Sequence, residues 1–393
     1  MVAMVGALIG CGGGGNGGGG GIGGTGAPLD VGTVRFALTD APSCGYDQVN
    51  ITIDRIRLHQ DSGAGDGDGG WSEIVLQPPK RVDLLTLTNG ALAELGQATV
   101  PVGTYRQLRL VLAVNGNAVP PPNSVVPTGG SETALSTPSA QQSGLKLSTE
   151  IVVADNALTD LVLDFDACKS VVKAGASGRY NLKPVITVLA RAAGSGNRVV
   201  GYLAAPLASS ATSVSLQANG VPIKATAPDA SGQFVLYPVP GGDYDLVVSS
   251  PNRVLAVVTG VPVTATASTS VSTAAIPIAP PLLTIPARTV SGVVTNPLAT
   301  VRSLQTLQGG QAVEVAWAPV DATTGAFSFV LPANSAVRSA YVAGAPGATF
   351  VVDPLPAGRY TVDAAIGSTH ASQLIDVTGA VPPLTLALPL ATQ

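Results

Sequence analysis

Reactive side chains are scarce in this chain, so the few present bound its chemistry. Among 393 residues there are 2 histidines and 3 cysteines. A Ser-His-Asp arrangement needs an imidazole placed between a nucleophile and an orienting carboxylate. His59 has Asp61 nearby, but no Gly-x-Ser-x-Gly elbow accompanies it, and it reads as a solvated loop-edge histidine. His370 follows Gly367-Ser368-Thr369 and reads as a turn residue. Closely spaced Cys and His ligands of the kind zinc requires are missing from the sequence. Carboxylates are the remaining candidates. Asp66 and Asp68, in the loop Asp61–Gly70, offer the hard oxygen ligands that Ca2+ takes. No Glu closes that loop at the EF-hand position, and Gly and Asp are turn formers in any case. A second acidic group is Asp160, Asp164 and Asp166. Strand alternation puts Asp164 and Asp166 on one face and Leu163 and Phe165 on the other. Lys169, Lys173 and Lys183 are candidate counter-charges, so a salt-bridged rim competes with a metal site there. No cofactor is expected, and Ca2+ is the one ion these acids leave open.

The cysteines divide into one and two. Cys11 stands alone in a Gly-rich N-terminus, whereas Cys44 and Cys168 fall within one expected domain. That division fits a single lipidated cysteine plus a Cys44–Cys168 disulfide formed in an oxidising compartment. Residues 1–11 read as the end of a secretion signal, and Leu8-Ile9-Gly10-Cys11 resembles the bacterial lipoprotein box. The stretch is short and no Lys or Arg precedes it, so the true start is expected upstream. Gly12 after the cysteine is similar to the pattern of lipoproteins sent to the Gram-negative outer membrane. The resemblance implies export, with membrane attachment through an acylated Cys11.

Composition narrows the class. Residues 12–27 are almost all glycine and bury nothing, which makes them a tether. A phosphate-cradling loop would need a preceding strand and a following Gly-Lys-Ser/Thr, and neither occurs. Charged residues make up 11% of the chain and aromatics 4%, with 47 Gly and 31 Pro. Short Val- and Thr-rich runs cut by Gly and Pro are the composition of all-β domains. A net charge of −4 supplies no basic face, so nucleic acid is not an expected partner. No apolar run of about 18 residues is present to span a bilayer as a helix.

The elements that must position these residues follow from a phrase, Pro-x-Gly-x-Tyr, that recurs three times. The copies are Pro101–Tyr105, Pro240–Tyr244 and Pro356–Tyr360, each followed by a strand-like run. Pro cannot donate to a ladder, Gly takes a backbone angle that other residues avoid, and Tyr sits at the sandwich edge with its hydroxyl free to reach a carbonyl. Three copies predict three β units. In the first, Val34, Phe36 and Leu38 alternate with Thr33, Arg35 and Ala37, and Val49, Ile51 and Ile53 continue the alternation. The phase then shifts to Ile56 and Leu58, which predicts a bulge at Asp54-Arg55. Residues 82–95 are the only helical material, broken at Asn89-Gly90. A long loop is expected over about 115–143, and strands over 145–153, 158–165 and 179–190.

Several motifs of this first unit occur in a distinctive order. They are Leu38-Thr39-Asp40-Ala41-Pro42, Val82-Asp83-Leu84-Leu85, Pro101–Leu112, Gly144-Leu145-Lys146-Leu147, Leu163-Asp164-Phe165-Asp166, Ser170–Gly175 and Tyr180–Ile186. Together they resemble the bacterial lipoprotein family called domain of unknown function 4382. The resemblance implies an exported, lipid-anchored β protein and supplies no activity. In residues 198–279, Val199–Leu203, Asp229–Leu236 and Pro238–Leu246 resemble the carboxypeptidase-regulatory-like, or transthyretin-like, sandwich, an accessory domain that binds carbohydrate in several relatives. Residues 286–390 repeat the scheme more loosely, with an insertion at about 331–350.

The expected organisation is therefore all-β: tandem immunoglobulin/transthyretin-like sandwiches after a Gly-rich tether. Residues 1–10 are a signal remnant, 11–30 the lipidated Cys and linker, 31–192 the first unit, 197–279 the second and 286–390 the third. Pro277, Pro280, Pro281 and Pro286 would space the last two stiffly. The expected role is non-enzymatic: a lipid-anchored envelope protein serving as a structural or interaction module. The alternative is a surface carbohydrate-binding lipoprotein, for which exposed aromatics are thin; Trp71, Trp317, Tyr202 and Tyr237 read as packing residues. An enzyme with an unrecognised site is the third reading. A cell-surface glycan or an envelope protein would be the partner.

Overall fold

A computed structural model of the chain describes residues 30–40, 45–137, 143–191, 194, 196–355 and 357–388. It is built of strands in six sheets, two to each unit. In the first unit, Val31–Asp40 lies between Leu158–Phe165, to which it runs parallel, and Ala93–Pro101, with Ile186–Ala190 outermost beyond Leu158–Phe165. The second sheet centres on Tyr46–His59 and Gly103–Leu112. Inward-facing Val34, Phe36, Leu38, Ile51, Ile53, Leu108 and Leu110 are almost wholly buried between the sheets. The phase shift at Asp54-Arg55 is a bulge, for the register slips between Ile53 and Arg55 against both neighbouring strands.

Three local expectations need correction. Residues 82–95 form one short turn, Leu84–Thr86, capped by the Asp83 carboxylate. Asn89 and Gly90 then take left-handed angles (φ 58° and 78°), and the apolar residues that follow enter the strand Ala93–Pro101. Tertiary pairing outweighs helix propensity there. The stretch expected as a long loop holds two strands, Ser124–Pro127 and Thr133–Ser136. Asn123 and Asn115 fold it back, exchanging amide hydrogen bonds with Ala113, Leu135 and each other. The run 179–190 is two strands, Arg179–Leu182 and Ile186–Ala190, one in each sheet.

The recurring tyrosines behave as corner residues. The hydroxyls of Tyr105 and Tyr244 donate to the carbonyls of Pro101 and Pro240, both at 2.9 Å, and Gly103 and Gly242 share a similar extended, positive-φ backbone (147° and 159°). The third copy differs. Gly358 has φ 62°, and the Tyr360 hydroxyl reaches Pro332 O at 2.6 Å, a residue of the preceding insertion. A further repeat links the second and third units. Gly201 and Gly292 pair across the strands with Phe234 and Phe327, and a Cβ at either glycine would stand 2.4 or 2.6 Å from the phenyl ring. Only glycine leaves room for the ring, which is buried in each core.

The insertion of the third unit belongs to the sheet of the second. Val337–Ala340 runs parallel to Ala256–Val263, and Val351–Val352 extends the same sheet by one more strand. Val337, 5% exposed, packs with Val258 and Val261 in the second unit's core. In the other direction, Val247, Leu255 and Val257 pack with the core of the third unit. The proline-rich linker also lies along the second unit: Ile278 N donates to Tyr202 O, Val254 N to Pro281 O and Leu283 N to Asn252 O. A linker hydrogen-bonded in this way does not hold the two units apart.

The shared strand has a measurable consequence. Val337→Asp should destabilise the second unit by roughly 3 kcal/mol, because it puts an unpaired carboxylate into that core. Hydrogen exchange should show protection lost across Ala256–Val263 and retained across Tyr46–His59. Loss confined to the third unit's own strands would show that the strand contributes nothing to its neighbour.

Candidate functional site

The Asp61–Gly70 loop is organised by nitrogen donors. Asp66 Oδ1 accepts from the Arg57 guanidinium and, at 3.2 Å, from Arg109, while Asp68 Oδ2 accepts from Gly65 N at 2.7 Å. His59 Nδ1 accepts from Asp61 N at 2.9 Å and Nε2 lies 2.9 Å from Gly69 O, which fits a ring protonated on Nε2 and clamping the base of the loop. The guanidiniums of Arg57 and Arg109 lie over the Trp71 ring at 4.4 and 4.6 Å. Asp66 and Asp68 thus help to hold a closed loop. His370, in the strand Thr369–Asp376, lies 3.3 Å from the Asp363 carboxylate. Cys11 and Cys44 lie outside the described residues.

Asp164 and Asp166 are brought together, at the place where all three units meet. Asp164 is on the strand Leu158–Phe165, with Leu163 and Phe165 turned into the core as alternation requires. Asp164 Oδ1 accepts from Lys224 Nζ of the second unit at 2.5 Å. That lysine side chain is 1% exposed, and the carboxylate side chain 11%. Burial pushes the Asp164 carboxyl above the ordinary aspartate range, and Lys224 pulls against it. Asp166 is past the end of the strand. It caps the short helix Ala167–Ser170 by accepting from Lys169 N at 3.0 Å. Lys169 Nζ stands 3.4 Å from Asp166 and 3.5 Å from Glu314 of the third unit. Burial disfavours the ammonium, but Glu314 and Asp166 outweigh it and hold Lys169 above the usual lysine value. Burial likewise pushes Glu314 up, against the attraction of Lys169 and Arg302.

Neutral hydrogen bonds complete the junction. The Gln217 side chain acts as a strand extender: Oε1 accepts from Glu314 N at 2.7 Å and Nε2 donates to Glu314 O at 2.9 Å. Arg302 donates to Gly220 O at 3.1 Å and to Asp363 at 3.1 Å. The first unit contributes its Asn89-Gly90 turn, where Asn89 N donates to Thr226 Oγ1 and Asn89 Oδ1 accepts from Val235 N, at 2.7 and 2.6 Å. On the third unit, Asp321 accepts from Gly175 N at 2.9 Å. Of the expected counter-charges, Lys169 serves Asp166, whereas Lys183 Nζ donates to Leu298 O.

Lys224, Glu314, Arg302 and Gln217 were not singled out by the sequence. A signal existed in two of them. Lys224 is the one charge in Val221–Thr226, and Glu314 the one charge in Ala312–Ala318. A lone charge within a half-buried strand requires a partner. Beside these groups is a cavity of about 210 Å3, lined in part by Lys169, Glu314 and Trp317.

Residues 31–184 match the DUF4382 family model. That model is described as a domain of unknown function and covers under half of the 393 residues. No curated protein matches the chain. Two solved chains from Acetivibrio cellulolyticus, an N-terminal and a C-terminal interface mutant of a type II cohesin-X-dockerin complex, share 25% identity with it. Each match covers 21% of this chain and 56% of that one at a TM-score of 0.18, a superposition too slight to define a fold. The unit that carries this match supplies Asp164, Asp166 and Lys169 to the junction, and the later units supply Lys224 and Glu314.

Breaking the buried pair tests its weight. Lys224→Met should cost about 3–5 kcal/mol, since it strands a buried carboxylate. Asp164→Leu combined with Lys224→Met should recover most of that loss in chemical denaturation. A single substitution within about 0.5 kcal/mol of the unaltered chain would mean that the pair is solvated.

Proposed function

We propose that this is a non-catalytic protein of the cell envelope, acylated at Cys11 and carried on its Gly-rich tether at the outer membrane of a Gram-negative bacterium. Its three β units act as a preassembled body that presents surfaces to an envelope partner. The observation that carries the reading is the use made of the acids at the junction. Asp164, Asp166 and Glu314 each face a lysine, and two of these three contacts cross from one unit to another. Groups committed to one another in this way join domains; a general base or a metal ligand needs a face turned to its substrate or ion. The surface-glycan reading gains nothing from Trp71, whose ring lies under two guanidiniums.

The second and third units carry the Gly-x-Phe turn of the carboxypeptidase-regulatory-like pattern, at Gly232–Phe234 and Gly325–Phe327, and we assign them to that class of accessory sandwich. A Cys44–Cys168 disulfide belongs to the same proposal. Asp40 Oδ1 accepts from Ala167 N at 2.8 Å, and the Tyr46 hydroxyl donates to Val171 O at 3.4 Å. The chain on either side of Cys44 is thereby tied to the chain on either side of Cys168. Such a bridge would close a loop of about 120 residues and add roughly 4–5 kcal/mol in the loop-entropy description.

One experiment reads both chemical claims. Bacteria producing the chain behind a complete export signal are fed labelled palmitate, and the membrane fraction is mapped by non-reducing mass spectrometry. Label should be incorporated and should vanish in Cys11→Ser, and Cys44 and Cys168 peptides should appear linked. Label that persists in Cys11→Ser, or free thiols at both other positions, would reject the corresponding claim.

A further inference from the structure

A second cavity lies between the first unit and the third, and its lining is one-sided in charge. It offers about 340 Å3, room for about eleven waters at their liquid volume. Val172, Leu182 and Pro184 line it from the first unit, and Leu298, Val320 and Ala322 from the third. Val172, Leu182 and Val320 are almost wholly buried, whereas Leu298 is 58% exposed. Asn181 and Lys183 line it too. They are two residues apart, on the side of their segment opposite Tyr180 and Leu182, which pack on the first unit's core. Among the described residues the lining includes Lys169 and Lys183 and no acid.

The two lysines differ. Lys169 is answered by Asp166 and Glu314, neither of which lines this space. Lys183 Nζ donates across the cleft to Leu298 O, a neutral acceptor that takes one of its three N–H groups. Burial pushes Lys183 below the usual lysine value, and among the described residues no carboxylate acts against it. An ammonium in an apolar cleft with no counter-charge favours an anion. A small inorganic anion would leave the apolar walls in water, and a hydrocarbon alone would leave the ammonium without an acid. A carboxylate on an apolar tail answers both. Octanoate has roughly as many non-hydrogen atoms as the cavity has room for waters. We propose that this cleft is a binding site for one medium-chain monocarboxylate. Its carboxylate is held by the Lys183 ammonium and the Asn181 amide, with the tail along Val172, Leu182 and Val320. The site does not depend on acylation at Cys11. Because it is lined from both units, its occupant would tighten the first against the third as it binds.

The test titrates the full chain with octanoate by calorimetry, with acetate as the carboxylate alone and octanol as the tail alone. Octanoate should bind saturably at one site, and acetate and octanol each at least tenfold more weakly. Lys183→Met keeps the apolar stem and removes the charge, and should weaken octanoate tenfold or more. Lys183→Arg should retain most of the affinity. Ala322→Leu, which fills the space from the third unit, should also weaken octanoate tenfold while the Lys183 ammonium is kept. Thermal unfolding of each variant shows that the fold is intact. Three results would overturn the proposal: octanoate fails to saturate; octanol binds as tightly as octanoate, so that Lys183 selects nothing; or octanoate binds Lys183→Met and Ala322→Leu as well as it binds the unaltered chain.

Discussion

The arrangement of the three units depends on a charge that has been taken out of water. Lys224 is a residue of the second unit with its ammonium buried against Asp164 of the first. Separating the units would return both charges to water, whereas a shifted contact would leave each one buried without its partner. Such pairs add little net stability compared with an apolar contact, yet breaking one is expensive. The pair therefore acts chiefly as a constraint on register, because the two domains fit only where that nitrogen and oxygen meet. The pair Lys169–Glu314 does the same for the first and third units, and Gln217 fixes the second to the third through the backbone N–H and C=O of one residue, Glu314.

Around these polar fixtures, apolar packing follows ordinary sandwich rules. Each unit has its own core, and the cores of the second and third also exchange residues: Val337 packs into the second, Leu255 and Val257 into the third. The junction is accordingly of two kinds. The second and third units share a sheet and apolar side chains, while the first is docked by hydrogen bonds and ion pairs at loop and strand ends. The cavity forms where the two kinds meet, beside small side chains that neither contact fills.

Much of this fold was legible in the sequence because β-structure writes itself locally. Alternation in Val34–Leu38 and Val49–Ile53, the phase shift at Asp54 and the Pro-x-Gly-x-Tyr turns each depend on residues a few positions apart. What stayed hidden depends on distant partners. The apolar residues after Asn89-Gly90 fit a helix as well as a strand until Val31–Asp40 is alongside them. The segment Val337–Ala340 reads as an insertion because its partner strand lies about eighty residues earlier. The acids were visible as a cluster, but their counter-ions Lys224 and Glu314 belong to other units, and nothing near Asp164 announces them. The corner tyrosine was recognisable in all three copies, whereas the redirection of Tyr360 to Pro332 follows from a glycine angle that sequence leaves open.

A rigid junction and a flexible string of domains differ most plainly in one distance. Nitroxide labels attached through ketone-bearing side chains at the exposed positions Val75, in the first unit, and Leu374, in the third, would report it by pulsed electron paramagnetic resonance. A single narrow distance distribution is expected, broadening when Lys224→Met and Glu314→Gln are introduced together. A broad distribution in the unaltered chain would contradict the claim that buried charges fix these units in one arrangement.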